Sequence, residues 1–187
     1  MDVDAAWDII EDVLRARLPE VAATLRGPVS DTDLDRLTRT VGKELPTDFI
    51  QSLRRHDGQD NPTKLLDLFN HHTLLSAEAM VETSDMLADA LGDDSGDVYD
   101  WMTPDKVRTV PNIRGWLPFT AAEGDSFALD LDPLPPGDPG QVISLPIDGP
   151  TPAPEHRSFR DWLAALAQRL DAGAFRIDDT LGLWLES

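Results

Sequence analysis

One short segment places a serine where a hydrolytic enzyme could use it. Gly124, Asp125 and Ser126 follow one another, as in the nucleophile block of Gly-Asp-Ser esterases. Such an enzyme needs its serine at a strand-to-helix turn, with a histidine base that a carboxylate orients. Here apolar runs on both sides place the triplet between two strands, and the candidate base, His156, is expected in a proline-rich loop without an Asp-x-x-His arrangement. A β-turn is the favoured interpretation, and a serine hydrolase using Ser126 is the alternative from a different class.

The histidines and acids are not spaced as metal ligands usually are. His71 and His72 are adjacent, so on a strand they would face opposite sides. The chain has no cysteine, no His-Glu-x-x-His pattern and no Asp-x-Asp-x-Asp-Gly order of a calcium loop. Glycine-rich nucleotide-binding patterns are absent as well. The sequence therefore predicts no metal, no cofactor and no catalytic residue.

Charge is the strongest sign of a functional surface. The 35 acidic residues outnumber the 16 basic ones and give a net charge of −19. Such a surface repels nucleic acid and anionic lipid and attracts basic proteins. Between Glu82 and Asp105 there are eight acids and no Lys or Arg. General solubility would explain the total charge equally well, but this uneven distribution favours a patch that docks a basic protein.

Two aromatic residues lie within that acidic stretch and outside clear periodicity. Aromatic side chains ringed by acids suit a binding surface with a buried centre and a charged rim. The predicted partner-binding residues are Asp89, Asp93, Asp94, Asp97, Tyr99, Asp100 and Trp101. Folding back of Trp101 to anchor its own loop is an equal alternative. Trp7, Trp116 and Trp162 lie on apolar faces, which predicts core packing, with Trp116 filling the space between sheet and helices.

Helical spacing of apolar residues and capping side chains predict five helices. The first covers residues 3–18. The others begin at cap residues with a side-chain hydroxyl: Ser30, Thr47, Ser76 and Ser158. On the helix that follows Ser76, the residues aligned on one face are Met80, Thr83, Leu87 and Leu91.

Alternating and short apolar runs predict strands, and hence an α+β fold with a mainly antiparallel sheet and helices packed against it. The sheet is expected around residues 64–70, 116–120, 127–132 and 141–145. In the third of these, Phe127, Leu129 and Leu131 share one face, and Asp130 and Asp132 share the other. The four prolines of residues 146–154 predict an extended loop. Alternation of Leu181, Leu183 and Leu185 predicts an edge strand or a packed tail.

Length and apolar content predict a single domain over residues 1–187, with an N-terminal helix at about 3–18 and a C-terminal extension at about 176–187. No apolar run approaches the ~20 residues of a membrane span. The acidic start, Met1-Asp2-Val3-Asp4, does not resemble a signal peptide. We therefore expect a cytoplasmic protein, and the sequence leaves its oligomeric state open.

Three patches in order, spanning about residues 30 to 175, carry a resemblance to a known family. The first is Leu45-Pro46-Thr47-Asp48-Phe49 with Asp57-Gly58. The central patch comprises Trp116, Pro118, Phe119, Gly124, Asp130, Asp132, Pro133, Gly137, Gly140, Gln141 and Val142. The last is Ser158-Phe159 with Leu163, Gly173 and Phe175. The pattern resembles the SUKH superfamily, which includes the fungal cell-wall-synthesis regulator and many bacterial immunity proteins.

The resemblance implies a SUKH-like α+β fold and a non-catalytic protein-binding module. It favours an immunity protein that neutralises a cognate, basic bacterial toxin by direct binding. A regulatory scaffold like the fungal members is the alternative. The extension at residues 176–187 lies beyond the family pattern.

Overall fold

The computed structural model describes residues 1–63, 65–92, 106–146, 152–178 and 182–186. Its helices within these ranges are α1 (Val3–Arg17), α2 (Pro19–Ala22), α3 (Asp31–Val41), α4 (Thr47–Arg55), α5 (Ala77–Leu91) and α6 (Phe159–Asp171). Its strands are β1 (Thr73–Leu74), β2 (Trp116–Pro118), β3 (Thr120–Ala121), β4 (Ser126–Asp130), β5 (Gln141–Leu145), β6 (Ala153–His156), β7 (Phe175–Asp178) and β8 (Gly182–Leu185). The predicted α+β fold is confirmed.

Side-chain caps start most of the long helices, as the sequence predicted. The hydroxyls of Ser30, Ser76 and Ser158 each accept a hydrogen bond from the backbone amide three residues later. The prediction for α4 was wrong: Pro46 is its N-cap, and Thr47 is the first helical residue. Within the described ranges, none of the helices is both long and apolar enough to cross a membrane.

Four antiparallel strands form the main sheet in the order β2-β4-β5-β6. Leu117, Leu129 and Val142 lie side by side across its first three strands. All three are fully buried and belong to the main hydrophobic core, which also takes in side chains of the helices. Since side chains alternate along a strand, the neighbouring residues point to the opposite face of the sheet.

That second face of the sheet is also covered. Trp116, Ala128 and Ile143 pack there with Val107 and Val110 in a separate, smaller apolar cluster. The expectation that Trp116 fills the space between sheet and helices was therefore wrong, although its burial was predicted correctly. Two short sheets lie beside the main one, β1 with β3 and β7 with β8.

The strand expected at residues 64–70 does not form in the described part, residues 65–70. The chain instead turns back at Asn70 and His71, which both have positive φ, and the His72 amide donates to the Phe69 carbonyl. Leu68 and Phe69 are nevertheless buried in the main core. Leu65 at the start of the run is 62% exposed, so burial holds only for the part of the run next to the turn.

One other segment differs from expectation, and the C-terminal segment agrees with it. The end of the proline-rich stretch pairs with β5 as β6, at the edge of the sheet, so that His156 lies on a strand rather than in a loop. The predicted C-terminal edge strand does form, as β8, and it pairs with β7 in a two-stranded hairpin. Leu183 of this hairpin is fully buried in the main core, whereas Leu181 lies outside the described residues.

Candidate partner-binding groove

One of the seven predicted partner-binding residues lies within the described part of the chain. Asp89 lies on α5 and is exposed to solvent. The other predicted partner-binding residues lie outside the described residues: Asp93, Asp94, Asp97, Tyr99, Asp100 and Trp101. Asp85, one turn before Asp89, forms an ion pair with Arg114 at 2.8 Å.

The strand register separates Ser126 from His156. Ser126 in β4 lies opposite Leu145 of β5, whereas His156 in β6 lies opposite Val142 of the same strand. The two residues are therefore offset by three residues along the strands and by two strand spacings across the sheet. This offset puts their Cα atoms about 14 Å apart. Serine and histidine side chains cannot form a hydrogen bond over that separation. The Gly-Asp-Ser triplet has the geometry of a hairpin, in which Glu123 and Gly124 form a turn with positive φ.

The adjacent histidines serve the packing of the turn at residues 70–72. His72 stacks against Phe69 and lies 3.0 Å from the Thr120 hydroxyl. Burial lowers the pKa of His72 to about 4, so this ring is neutral at ordinary pH. His71 makes an edge contact with the Trp184 ring and lies 3.9 Å from Asp67.

A groove of about 960 Å³ runs between α5 and the strands of the central patch. One wall is the face of α5 that carries Thr83, Leu87 and Leu91. The opposite wall combines Trp116, the turn at residues 121–126 and Leu145. The four residues that the sequence aligned on one face of α5 thus have two environments. Met80 lies in the core, whereas Thr83, Leu87 and Leu91 line the groove.

Large apolar side chains in the groove are exposed to solvent. Met86 is 59% exposed and Leu91 is 49% exposed, and both line it. Trp116 lines it as well, and its indole Nε1–H is buried without a hydrogen-bond partner in the described structure. A buried donor without a partner is costly, so this N–H destabilises the wall in which it lies.

The charged side chains that line the groove are acidic. Asp67, Glu123 and Asp125 contribute carboxylates, and the described lining contains no Lys or Arg. Glu123 and Asp125 flank the exposed turn at one rim, whereas Asp67 is buried and accepts hydrogen bonds from Asn61 and Thr73. A cationic group entering the groove would meet favourable charge.

A buried carboxylate lies on the same face of the sheet as Trp116. Asp130 is fully buried, and its carboxylate accepts hydrogen bonds from the Asp132 amide and from Gln141. Burial raises the pKa of Asp130 to about 6 despite these contacts. The expected polar face was wrong at Asp130, because the segment around Val107 and Val110 covers it, and Asp132 lies beyond the end of β4.

The sequence of this chain matches a known family over most of its length. Residues 28–165 match the SMI1/KNR4 family (SUKH-1). The chain belongs to the SMI1/KNR4 family. The resemblance that the three sequence patches indicated is confirmed.

Three fungal proteins are similar to this SMI1/KNR4 chain. The cell wall biosynthesis/cell cycle regulator smi1 of Schizosaccharomyces pombe is 28% identical, over 95% of this chain and 38% of the relative. KNR4/SMI1 homolog 2 of Debaryomyces hansenii is 26% identical, over 94% and 37%. The glucan synthesis regulatory protein of Neurospora crassa is 24% identical, over 95% and 40%. The chain therefore spans about two fifths of the length of these relatives.

The SMI1/KNR4 sequence patches meet one another in the fold. The Asp48 carboxylate accepts a hydrogen bond from the Arg160 amide at the start of α6, and the Phe49 ring packs edge-on against Phe159. Asp57 accepts a hydrogen bond from the Ala77 amide, which fixes the start of α5. These residues join helices to one another, so their chemistry is structural.

The groove was missed by the sequence reasoning. Its two walls come from segments about 30 residues apart, and no local pattern relates them. One signal was present: Met86 and Leu91 belong to the helix whose other face enters the core, so α5 carries more apolar surface than one buried stripe requires.

Proposed function

We propose that this SMI1/KNR4 chain is a non-catalytic protein-binding module for a basic partner protein. The observation that carries the proposal is the charge: 35 acids against 16 bases, with eight acids and no base between Glu82 and Asp105. Opposite charge accelerates encounter and selects against acidic competitors. The names of the fungal relatives, which are regulators, favour binding over catalysis.

Within this class we favour an immunity protein that neutralises a cognate basic toxin by occupying it. The SUKH resemblance supports this role, because the superfamily contains many bacterial immunity proteins. Neutralisation by occupation needs only a complementary surface, which fits a chain without an assembled catalytic group in its described residues. The docking residues from Asp89 to Trp101 remain part of this proposal.

A regulatory scaffold is the second candidate. All three fungal relatives are named as regulators or as a homolog of one, which favours it. The chain corresponds to about two fifths of the length of these relatives.

The test uses the product of the neighbouring gene, since immunity genes usually lie beside their toxins. Both proteins are expressed in one bacterial host, with and without this chain, and growth is followed. We expect the chain to restore growth and to co-purify with the neighbour in a fixed ratio. Unrestored growth, with both proteins present and folded, would contradict the immunity role, and failure to co-purify would contradict binding as well.

A serine hydrolase is the alternative of a different class. The separation of about 14 Å between Ser126 and His156 speaks against it. Turnover of an ester panel that disappears in Ser126→Ala would establish that alternative instead.

A further inference from the structure

We propose that the groove between α5 and the central strands binds an extended segment of the partner, about six residues long, that alternates apolar and basic side chains. The inference rests on the proposed function, because it names the site at which the basic partner is held. It goes beyond the acidic stretch, since most of the groove lies outside residues 82–105.

The shape of the groove selects an elongated occupant. Residues that line it recur along the whole of α5, from its N-cap Ser76 through Thr83 to Leu91. At 1.5 Å per helical residue this wall is about 22 Å long. An extended chain covers that length with about six or seven residues. A compact small molecule would fill only part of it.

The apolar surface of the groove provides places for anchoring side chains. Met86 and Leu91 are exposed by 59% and 49%, which is unusual for large apolar residues on a helix whose other face is in the core. Leu145 and Pro146 face them across the groove, half-buried. Peptide side chains inserted between these walls would remove that surface from water.

Charge decides which kind of segment fits. The described lining carries the carboxylates of Asp67, Glu123 and Asp125 and no Lys or Arg, so a segment with Lys or Arg is favoured over a neutral or acidic one. A second copy of this chain is a poor occupant, because two molecules of net charge −19 repel each other.

Phage-displayed random octapeptides, panned against the full chain, supply the probe. Recovered peptides are synthesised, and their dissociation constants are measured by fluorescence polarisation. The groove variants are Met86→Gln and Leu91→Gln, which remove an exposed apolar contact without changing the charge or the core. The matched control is Leu65→Gln, since Leu65 is 62% exposed and does not line the groove.

We expect recovered peptides to combine Lys or Arg with apolar residues, and to bind each groove variant about tenfold more weakly than wild type. Leu65→Gln should bind them as wild type does. Recovery of no peptide, of acidic peptides, or of peptides that bind the groove variants normally would overturn the proposal.

The same variants separate this inference from the proposed function. If the neighbouring-gene product binds wild type and both groove variants equally well, the groove is the wrong site while the protein-binding function stands. If peptides depend on the groove but the neighbouring-gene product does not bind, the inferred site stands and the proposed partner is wrong.

Discussion

Asp130 is an acid in a place where a neutral residue would be easier to accommodate. It is fully buried beneath the segment that carries Val107 and Val110, and water cannot solvate its charge. The Asp132 amide and the Gln141 side chain both donate to its carboxylate, and they recover only part of the lost solvation, since its pKa is still raised to about 6. Asp130 therefore links folding to pH.

The sign of that linkage can be tested with Asp130→Asn. Between pH 4 and pH 6 the folded protein holds a proton on Asp130 that the unfolded chain has lost, so the contribution of this group to stability falls as pH rises. Relative to Asp130→Asn, wild type should lose on the order of 2 kcal/mol of unfolding free energy between pH 4 and pH 7. Urea denaturation at several pH values measures the difference, and parallel pH profiles would show that Asp130 has an ordinary pKa.

At the residue scale, alternation correctly predicted which residues of β4 lie on opposite faces. It did not predict whether each face is buried. The spacing correctly placed Leu129 and Asp130 on opposite faces of β4, because side-chain direction in a strand is a local property. Whether a face meets water depends on what covers it. The segment around Val107 lies more than 20 residues away in sequence, and nothing in the alternation reports its position.

Among the elements, the approach of the loop after α4 to the residues just before α5 depends on Gly58. Its φ is +70°, and a Cβ atom there would lie 2.5 Å from the backbone of Leu75 and Ser76. The adjacent Asp57 accepts a hydrogen bond from the Ala77 amide at the start of α5. The Asp-Gly pair thus lets one backbone pass directly against another and fixes the helix that forms a wall of the groove.

Gly58→Ala tests this close approach, with Gly42→Ala as its matched control. Gly42 has nearly the same φ, +68°, but no atom lies within 4 Å of its Cβ position. We expect Gly42→Ala to lower the unfolding free energy by about 1–2 kcal/mol, through backbone strain alone. Gly58→Ala should cost roughly 2 kcal/mol more, because the new methyl group also clashes. Equal losses in chemical denaturation would mean that the backbone contact can relax.

Features that form through contacts between residues close in sequence were mostly predicted correctly. Features that depend on distant segments were not. Ser30, Ser76 and Ser158 were identified as caps because a cap bonds within three residues. The strand expected at residues 64–70 does not form in the described part, where the chain turns back at Asn70 and His71. The groove was not predictable, since it requires knowing that α5 packs beside the turn at residues 121–126.

For the whole molecule, charge and shape point to the same class of partner. Under the proposed function, the net charge of −19 would draw a basic protein from a distance, and the groove would offer apolar contact after encounter. These two contributions are separable: charge acts mainly on the association rate, and buried apolar contact acts mainly on the dissociation rate.

The most direct test of this account is the association rate with the neighbouring-gene product, measured by stopped flow across a series of salt concentrations. We predict a rate constant of ~10⁸ M⁻¹s⁻¹ or more at low salt that falls steeply as ions screen the charges. Replacing Asp93, Asp94 and Asp97 by Asn should slow association and flatten the salt dependence, while Trp101→Ala should mainly speed dissociation. Absence of a complex, or an association rate that does not change with salt, would contradict recognition of a basic partner by this acidic protein.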